Sequence, residues 1–133
     1  MPATIPSSHQ DLLTTKIALA HLGTLMENGR PQVTPIWFTY DGACIVLNSA
    51  RGRVKDRNMR ARPQVALSIV DPDNAYRYIQ IMGTVTAITE DGGDAHIDVL
   101  AKKYLGKDKY PWRQPGEVRV LYTVTPDQVQ VMG

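Results

Sequence analysis

The sequence predicts a mainly β protein, a small antiparallel barrel with a few short helices, in a single domain over residues 1–133. Short β-rich segments follow one another at intervals set by turn dipeptides, Asn28 with Gly29 and Asp41 with Gly42. The long segment 76–89 is interrupted by Gly83, where a bulge lets a strand curl as a small closed sheet requires. A hydrophobic fraction of 43% is enough for a true core in a chain of 133 residues.

In chain order, Ser7 or Ser8 caps a short helix that carries Leu12 and Leu13 and ends near Lys16, forming a lid on the barrel. Residues 17–27 read as the first strand. Asn28 and Gly29 predict a type I′ hairpin, with both residues at positive φ. Residues 32–40 form the second strand and residues 43–49 the third, giving an antiparallel meander. A glycine turn and a short helix follow, stopped by Pro63. Residues 64–70 alternate, with Val65, Leu67 and Ile69 on one face. Residues 71–74 turn the chain into the long strand 76–89. In residues 91–105, Ile97, Leu100, Ala101 and Tyr104 recur at helical spacing, and Gly106 ends that helix. A loop over 107–116 leads to strands at 118–124 and 128–132.

Several functional classes are excluded. The N-terminus lacks the basic and apolar regions of a secretion signal, and no apolar run spans a bilayer, so the expected location is cytoplasmic with no membrane contact. Cys44 is the single cysteine, so it forms no internal disulfide and is expected to be a buried thiol. His9, His21 and His96 fall in different elements without ligand spacing, so no metal is implied and none of the three is expected to lie beside a functional site. Hydrolase and nucleotide-binding glycine motifs are missing. With a net charge of +2 and one compact basic cluster, nucleic acid is disfavoured as a partner.

That cluster is residues 48–62. It holds Arg51, Arg53, Lys55, Arg57, Arg60 and Arg62 against the single acid Asp56, and the remainder of the chain is net acidic. Such a run is either a solvated helix face or, with Gly52 ahead of a helix N-terminus, a seat for a phosphate.

Three stretches in order, residues 30–38 (RPQVTPIWF), 49–58 (SARGRVKDRN) and 71–78 (DPDNAYRY), resemble the pyridoxamine 5′-phosphate oxidase-like family, and within it the branch dependent on the deazaflavin coenzyme F420. The likeness runs from about Leu19 to the C-terminus. It implies a six-stranded FMN-binding type of split barrel, homodimeric, with the cofactor in a groove at the subunit interface. It also implies an F420-dependent oxidoreductase that moves a hydride between the cofactor and a small unsaturated organic substrate. FMN in place of F420, or a cofactor-binding protein without catalysis, are the alternatives.

Position by position, the resemblance places the ring along Thr34, Pro35, Ile36 and Trp37. Asn48 and Ser49 contact the ring or ribityl chain, Arg53, Val54 and Lys55 form the phosphate turn, Asn58 fixes the turn or touches the ligand, and Tyr78 lies beneath the cofactor. Arg57, Arg60 and Arg62 are read as solvated or holding the dimer, while Trp112, Arg113 and Arg119 lie in segments able to reach the open face of the ring, with a structural role preferred because the family varies there. No catalytic residue is named, because in such proteins the cofactor carries the hard step. The apolar segment 79–82 is expected to leave a face that a second copy covers.

Overall fold

The computed structural model describes residues 2–133. Its elements are a 3-10 turn at Ser7–His9, α1 (Asp11–Thr14), β1 (Ala20–Leu25), β2 (Pro31–Ile36), β3 (Phe38–Tyr40), β4 (Ile45–Ala50), α2 (Val54–Ala61), β5 (Gln64–Asp71), β6 (Asn74–Thr89), α3 (Gly93–Leu105) and β7 (Arg119–Met132). All strand pairs are antiparallel, in the order β2-β1-β5-β6-β7-β4-β3.

The two edge strands, β2 and β3, are neighbours in the chain with only Trp37 between them. The continuous strand expected over 32–40 is therefore two strands, one pairing with β1 and the other with β4. That break is where the sheet curls round on itself into a split barrel, and it accounts for seven strands where six were expected. The opposite correction applies at the C-terminus, where the two expected strands are one. Pro126 sits inside β7 opposite Gly83, at a register shift between Met82 and Gly83. A Cβ on Gly83 would lie 2.6 Å from Val124 Cγ1 and 2.9 Å from the Thr125 carbonyl, so the strands meet this closely only because residue 83 has no side chain.

The barrel interior is filled by the alternate residues of these strands. Leu22, Phe38, Ile45, Leu47, Leu67, Ile69, Ile79, Ile81, Val120, Tyr122 and Val124 are all buried. Ile79 and Ile81 thus belong to the core, and of segment 79–82 only Met82 is an exposed large hydrophobic residue. Leu12 and Leu13 of α1 join the same core. The helix is strapped down by Arg77, which pairs with Asp11 at 2.6 Å and with Asp71 at 2.8 Å and also donates to the Ser8 carbonyl. A backbone N–H from Asp73, Arg77 and Lys16 together hold the Asp71 carboxyl at a pKa of about 2.

The first hairpin is not type I′. Gly29 has φ 84° but Asn28 is not at positive φ, and the Asn28 side chain instead accepts from the Arg30 N–H. The side chain makes an Asx-type turn that serves in place of the strained backbone. Cys44 is only partly buried, with Sγ 3.7 Å from Thr125 Oγ1. No helix among the described residues is long and apolar enough to cross a membrane.

Candidate functional site

The glycine turn at Gly52 (φ 89°) delivers the chain from β4 into α2. Asp56, almost fully buried, folds back to accept from the Gly52 N–H at 2.9 Å, from Arg60 Nε at 3.0 Å and from the Tyr122 hydroxyl. A residue in the first helical turn thereby fixes the loop ahead of it.

The basic residues divide into two groups. Arg51 pairs with Glu90, Arg57 donates to the Gly52 carbonyl, Arg60 pairs with Asp56, and Arg62 donates to the Leu25 carbonyl and the Asn58 side chain. Arg57, Arg60 and Arg62 are each bonded within their own chain; Arg57 and Arg60 remain solvent-exposed, as expected, and Arg62 is partly so. Arg53 has only a 3.5 Å contact to Glu117, and Lys55 has no hydrogen-bond or ion-pair partner among the described residues. Burial, with Arg53 and Arg119 nearby, pulls the Lys55 ammonium below its ordinary pKa.

These two side chains face a cleft of about 170 Å³ lined by Pro35, Ile36, Trp37, Asn48, Ser49, Arg53, Lys55, Ile97, Tyr110, Trp112 and Arg119. Seven of the residues selected from sequence thus converge, drawn from both sides of the break at Trp37, from β4 and from the turn into α2. Thr34, Val54, Asn58 and Tyr78 do not line the cleft. Asn58 donates to Thr24 Oγ1 at 3.0 Å and to Met26 Sδ, tying α2 to β1. Tyr78 lies in β6 opposite Val70 and Met132.

An aromatic wall bounds the same space. Trp37 stacks on Tyr104 with centroids 5.1 Å apart, and Tyr110 and Trp112 pack round it at 6.1 and 6.3 Å. The loop that bears Tyr110 and Trp112 is fastened to α3 by Asp98, which accepts from the Tyr110 N–H at 2.8 Å and from Arg113 at 2.6 Å. Trp112 and Arg119, from segments expected to be able to reach the ring, line the cleft, and Arg113 does not.

Arg119 is 5% exposed, and its guanidinium lies 5.3 Å from the centre of the Tyr110 ring. Its Nε donates to Asn48 Oδ1 at 2.9 Å and its Nη1 to Glu117 at 3.1 Å. Asn48 in turn donates to the Gly93 carbonyl at 2.9 Å and to His96 Nδ1 at 3.1 Å, which leaves His96 Nε2 to donate to Thr39 Oγ1 at 2.9 Å. This arrangement requires a neutral imidazole. Burial, with Arg119 nearby, pushes the His96 pKa down to about 4. His96 does not line the cleft, but it stands behind it, bonded to Asn48. A lone histidine on a helix carries no sequence signal that Asn48, forty-eight residues earlier, will meet it.

Gly93 opens α3 directly against β7. A Cβ there would stand 2.5 Å from the Arg119 carbonyl oxygen and 2.7 Å from its carbon. Gly93→Ala is expected to lower stability by about 1–3 kcal/mol through this overpacking, and to weaken anion binding by shifting Arg119. Urea unfolding together with phosphate titration checks both effects; an unchanged midpoint would refute the first.

The residues present suit a cofactor with both a ring and a phosphate. Two cations are left largely unneutralised, the Ser49 hydroxyl is buried without a partner, and Trp37 offers a flat face. No group of three or more His, Cys, Asp or Glu side chains among the described residues is placed to hold a metal.

A curled antiparallel sheet with a basic turn after β4, facing an aromatic cleft, defines the class as a split barrel. The profile of the pyridoxamine 5′-phosphate oxidase family matches residues 6–133, and the chain belongs to that family. No curated protein sequence matches it. Among solved structures, it is similar to one described as an F420 Reductase, with 34% identity, a TM-score of 0.83, and 95% of this chain and 98% of that one covered. A conserved hypothetical protein from Mycobacterium tuberculosis superposes with a TM-score of 0.75 at 20% identity, covering 98% and 86% of the two chains. HupZ of Group A Streptococcus does so at 0.67 and 18%, covering 96% and 94%. The last two likenesses show the fold alone.

Proposed function

We propose that this chain is an F420-dependent oxidoreductase acting on a small unsaturated organic substrate. The observation that carries the reading is the sorting of the basic cluster, in which Arg53 and Lys55 alone are left without a close partner on a turn that faces an aromatic cleft. The 34% identical structure described as an F420 Reductase supports the choice of cofactor.

When bound, the deazaflavin supplies hydride chemistry. The work of this chain is positional. Arg53 and Lys55 hold the cofactor phosphate, one by a fork of donors and the other by a compact charge. Ser49 Oγ, otherwise without a partner, donates to a polar group of the cofactor, and Pro35, Ile36 and Trp37 provide the surface on which its ring lies. Asn48 spends its amide on Arg119, His96 and Gly93, so it acts by holding Arg119 in place. Ile97 and the aromatic wall exclude water from the reacting face.

Titration of the purified protein with F420 and separately with FMN, followed by fluorescence, tests the reading. F420 is expected to bind at least about tenfold more tightly, a difference of roughly 1.4 kcal/mol. Equal or tighter FMN binding, or binding of neither, overturns it.

The protein is further proposed to work as a homodimer. Leu25 and Met82 line an apolar groove with Gly23, Pro31, Val65 and Ala66, and Val33 on the neighbouring edge strand is 64% exposed. Sedimentation velocity at micromolar concentration is expected to give twice the chain mass of 14.8 kDa. A stable monomer would refute the dimer.

A further inference from the structure

Resting on the reading of the cleft as an F420 site, we propose that Arg119 and the aromatic wall form a second subsite, which takes the carboxylate of a planar, conjugated substrate.

The argument begins with charge. Arg53, Lys55 and Arg119 bring three positive charges to one cleft, and Glu117 is the only carboxylate bonded to any of them. Glu117 pairs with Arg119 at 3.1 Å and reaches Arg53 at 3.5 Å, and a phosphodiester adds one negative charge, so two negative charges meet three positive ones and one positive charge is left over. An excess positive charge beside a guanidinium as buried as that of Arg119 is relieved by a further anion. Its fixed partners satisfy Nε and Nη1, while Nη2 has none among the described residues. Asn48 and Glu117 hold the guanidinium, and the Tyr110 ring stacks near it, so the free edge is already oriented. A carboxylate accepts from that edge without any rearrangement of the protein.

The wall sets the shape of the ligand. Beyond Trp37, which bears the cofactor ring, Trp112 lines the cleft with Tyr110 packed edge-on to it at an interplanar angle of 87°. Flat faces of this kind favour a planar body over a flexible aliphatic one. A conjugated double bond attached to a carboxylate is also the kind of acceptor to which a hydride is added in the proposed reaction.

Calorimetric titration of the purified, cofactor-free full chain with cinnamate, cinnamamide and glutarate tests the subsite. Cinnamate is expected to bind at least about tenfold more tightly than its neutral amide and than the flexible dicarboxylate, with the preference over the amide abolished in Arg119→Gln and reduced in Arg119→Lys. Equal binding of cinnamate and cinnamamide by the wild-type protein overturns the proposal whatever the variants do. Glutarate binding as tightly as cinnamate also overturns it, and assigns Arg119 to a flexible carboxylate such as a cofactor tail. Because no F420 is present, the two readings fail separately. A protein that binds F420 but not cinnamate lacks the subsite, and one that selects cinnamate but binds neither coenzyme lacks the cofactor assignment.

Discussion

Lys55→Ala is expected to raise the dissociation constant for the phosphate-bearing cofactor by about tenfold to a hundredfold, the loss of one charge-assisted hydrogen bond of roughly 1.5–3 kcal/mol. Lys55 is half-buried, has no partner in its own chain, and stands in the first turn of α2, where the helix dipole favours an anion. Folding stability should change little, because no native bond is removed. Burial and the nearby arginines lower its pKa, and an anion beside it offsets both. Arg62→Ala, which breaks a bond to the Leu25 carbonyl rather than opening the cleft, is expected to leave cofactor affinity nearly unchanged. Added salt should weaken wild-type binding more steeply than binding by the Lys55 variant. Titrations of both proteins across a salt series check this. Indistinguishable affinities for wild type and Lys55→Ala would return the basic stretch to a solvated helix face.

Asp56→Ala should have the largest effect on stability, about 3 kcal/mol or more. It strands the Tyr122 hydroxyl inside the barrel, frees the Gly52 N–H and leaves Arg60 unpaired. The same substitution loosens the turn that carries Arg53 and Lys55, so stability and anion affinity fall together. Burial alone would raise the Asp56 pKa, but the bonds from Tyr122, Gly52 and Arg60 outweigh it and hold the folded value below the ordinary 3.8. The ion pair therefore stabilises the protein fully above that ordinary value, and its contribution is lost as pH falls through the folded pKa. Asp56→Asn removes this part of the acid limb. Denaturant unfolding of the three proteins between neutral and acid pH checks the prediction; an Asp56→Ala midpoint within error of wild type would refute it.

What the sequence determined by itself was local or periodic. The alternation of Val65, Leu67 and Ile69 put those residues in the core because a strand turns successive side chains to opposite faces. The helical spacing of Ile97, Leu100 and Ala101 and the stop at Gly106 follow from the same kind of short-range rule, and Gly106 ends α3 at φ 70°. Gly83 marked a bulge, and the turn at Gly52 marked the approach to α2. The choice of Arg53 and Lys55 within the basic cluster came from the family resemblance, and the structure leaves those two facing the cleft.

Only the tertiary structure decided the rest, because it depended on residues distant in sequence. Nothing in residues 32–40 says that Trp37 interrupts the strand; the break appears when the two halves pair with opposite edges of one sheet. The bonds that commit Arg51, Arg57 and Arg62, to Glu90, Gly52 and Leu25, reach across loops and strands as well as along the helix. Arg119 and Asn48 are 71 residues apart, and they meet because β4 and β7 are paired in register. A charge placed by strand pairing leaves no periodic trace, so a sequence shows that an arginine is present, while the curled sheet decides that it lies beneath an aromatic ring in the wall of the cleft.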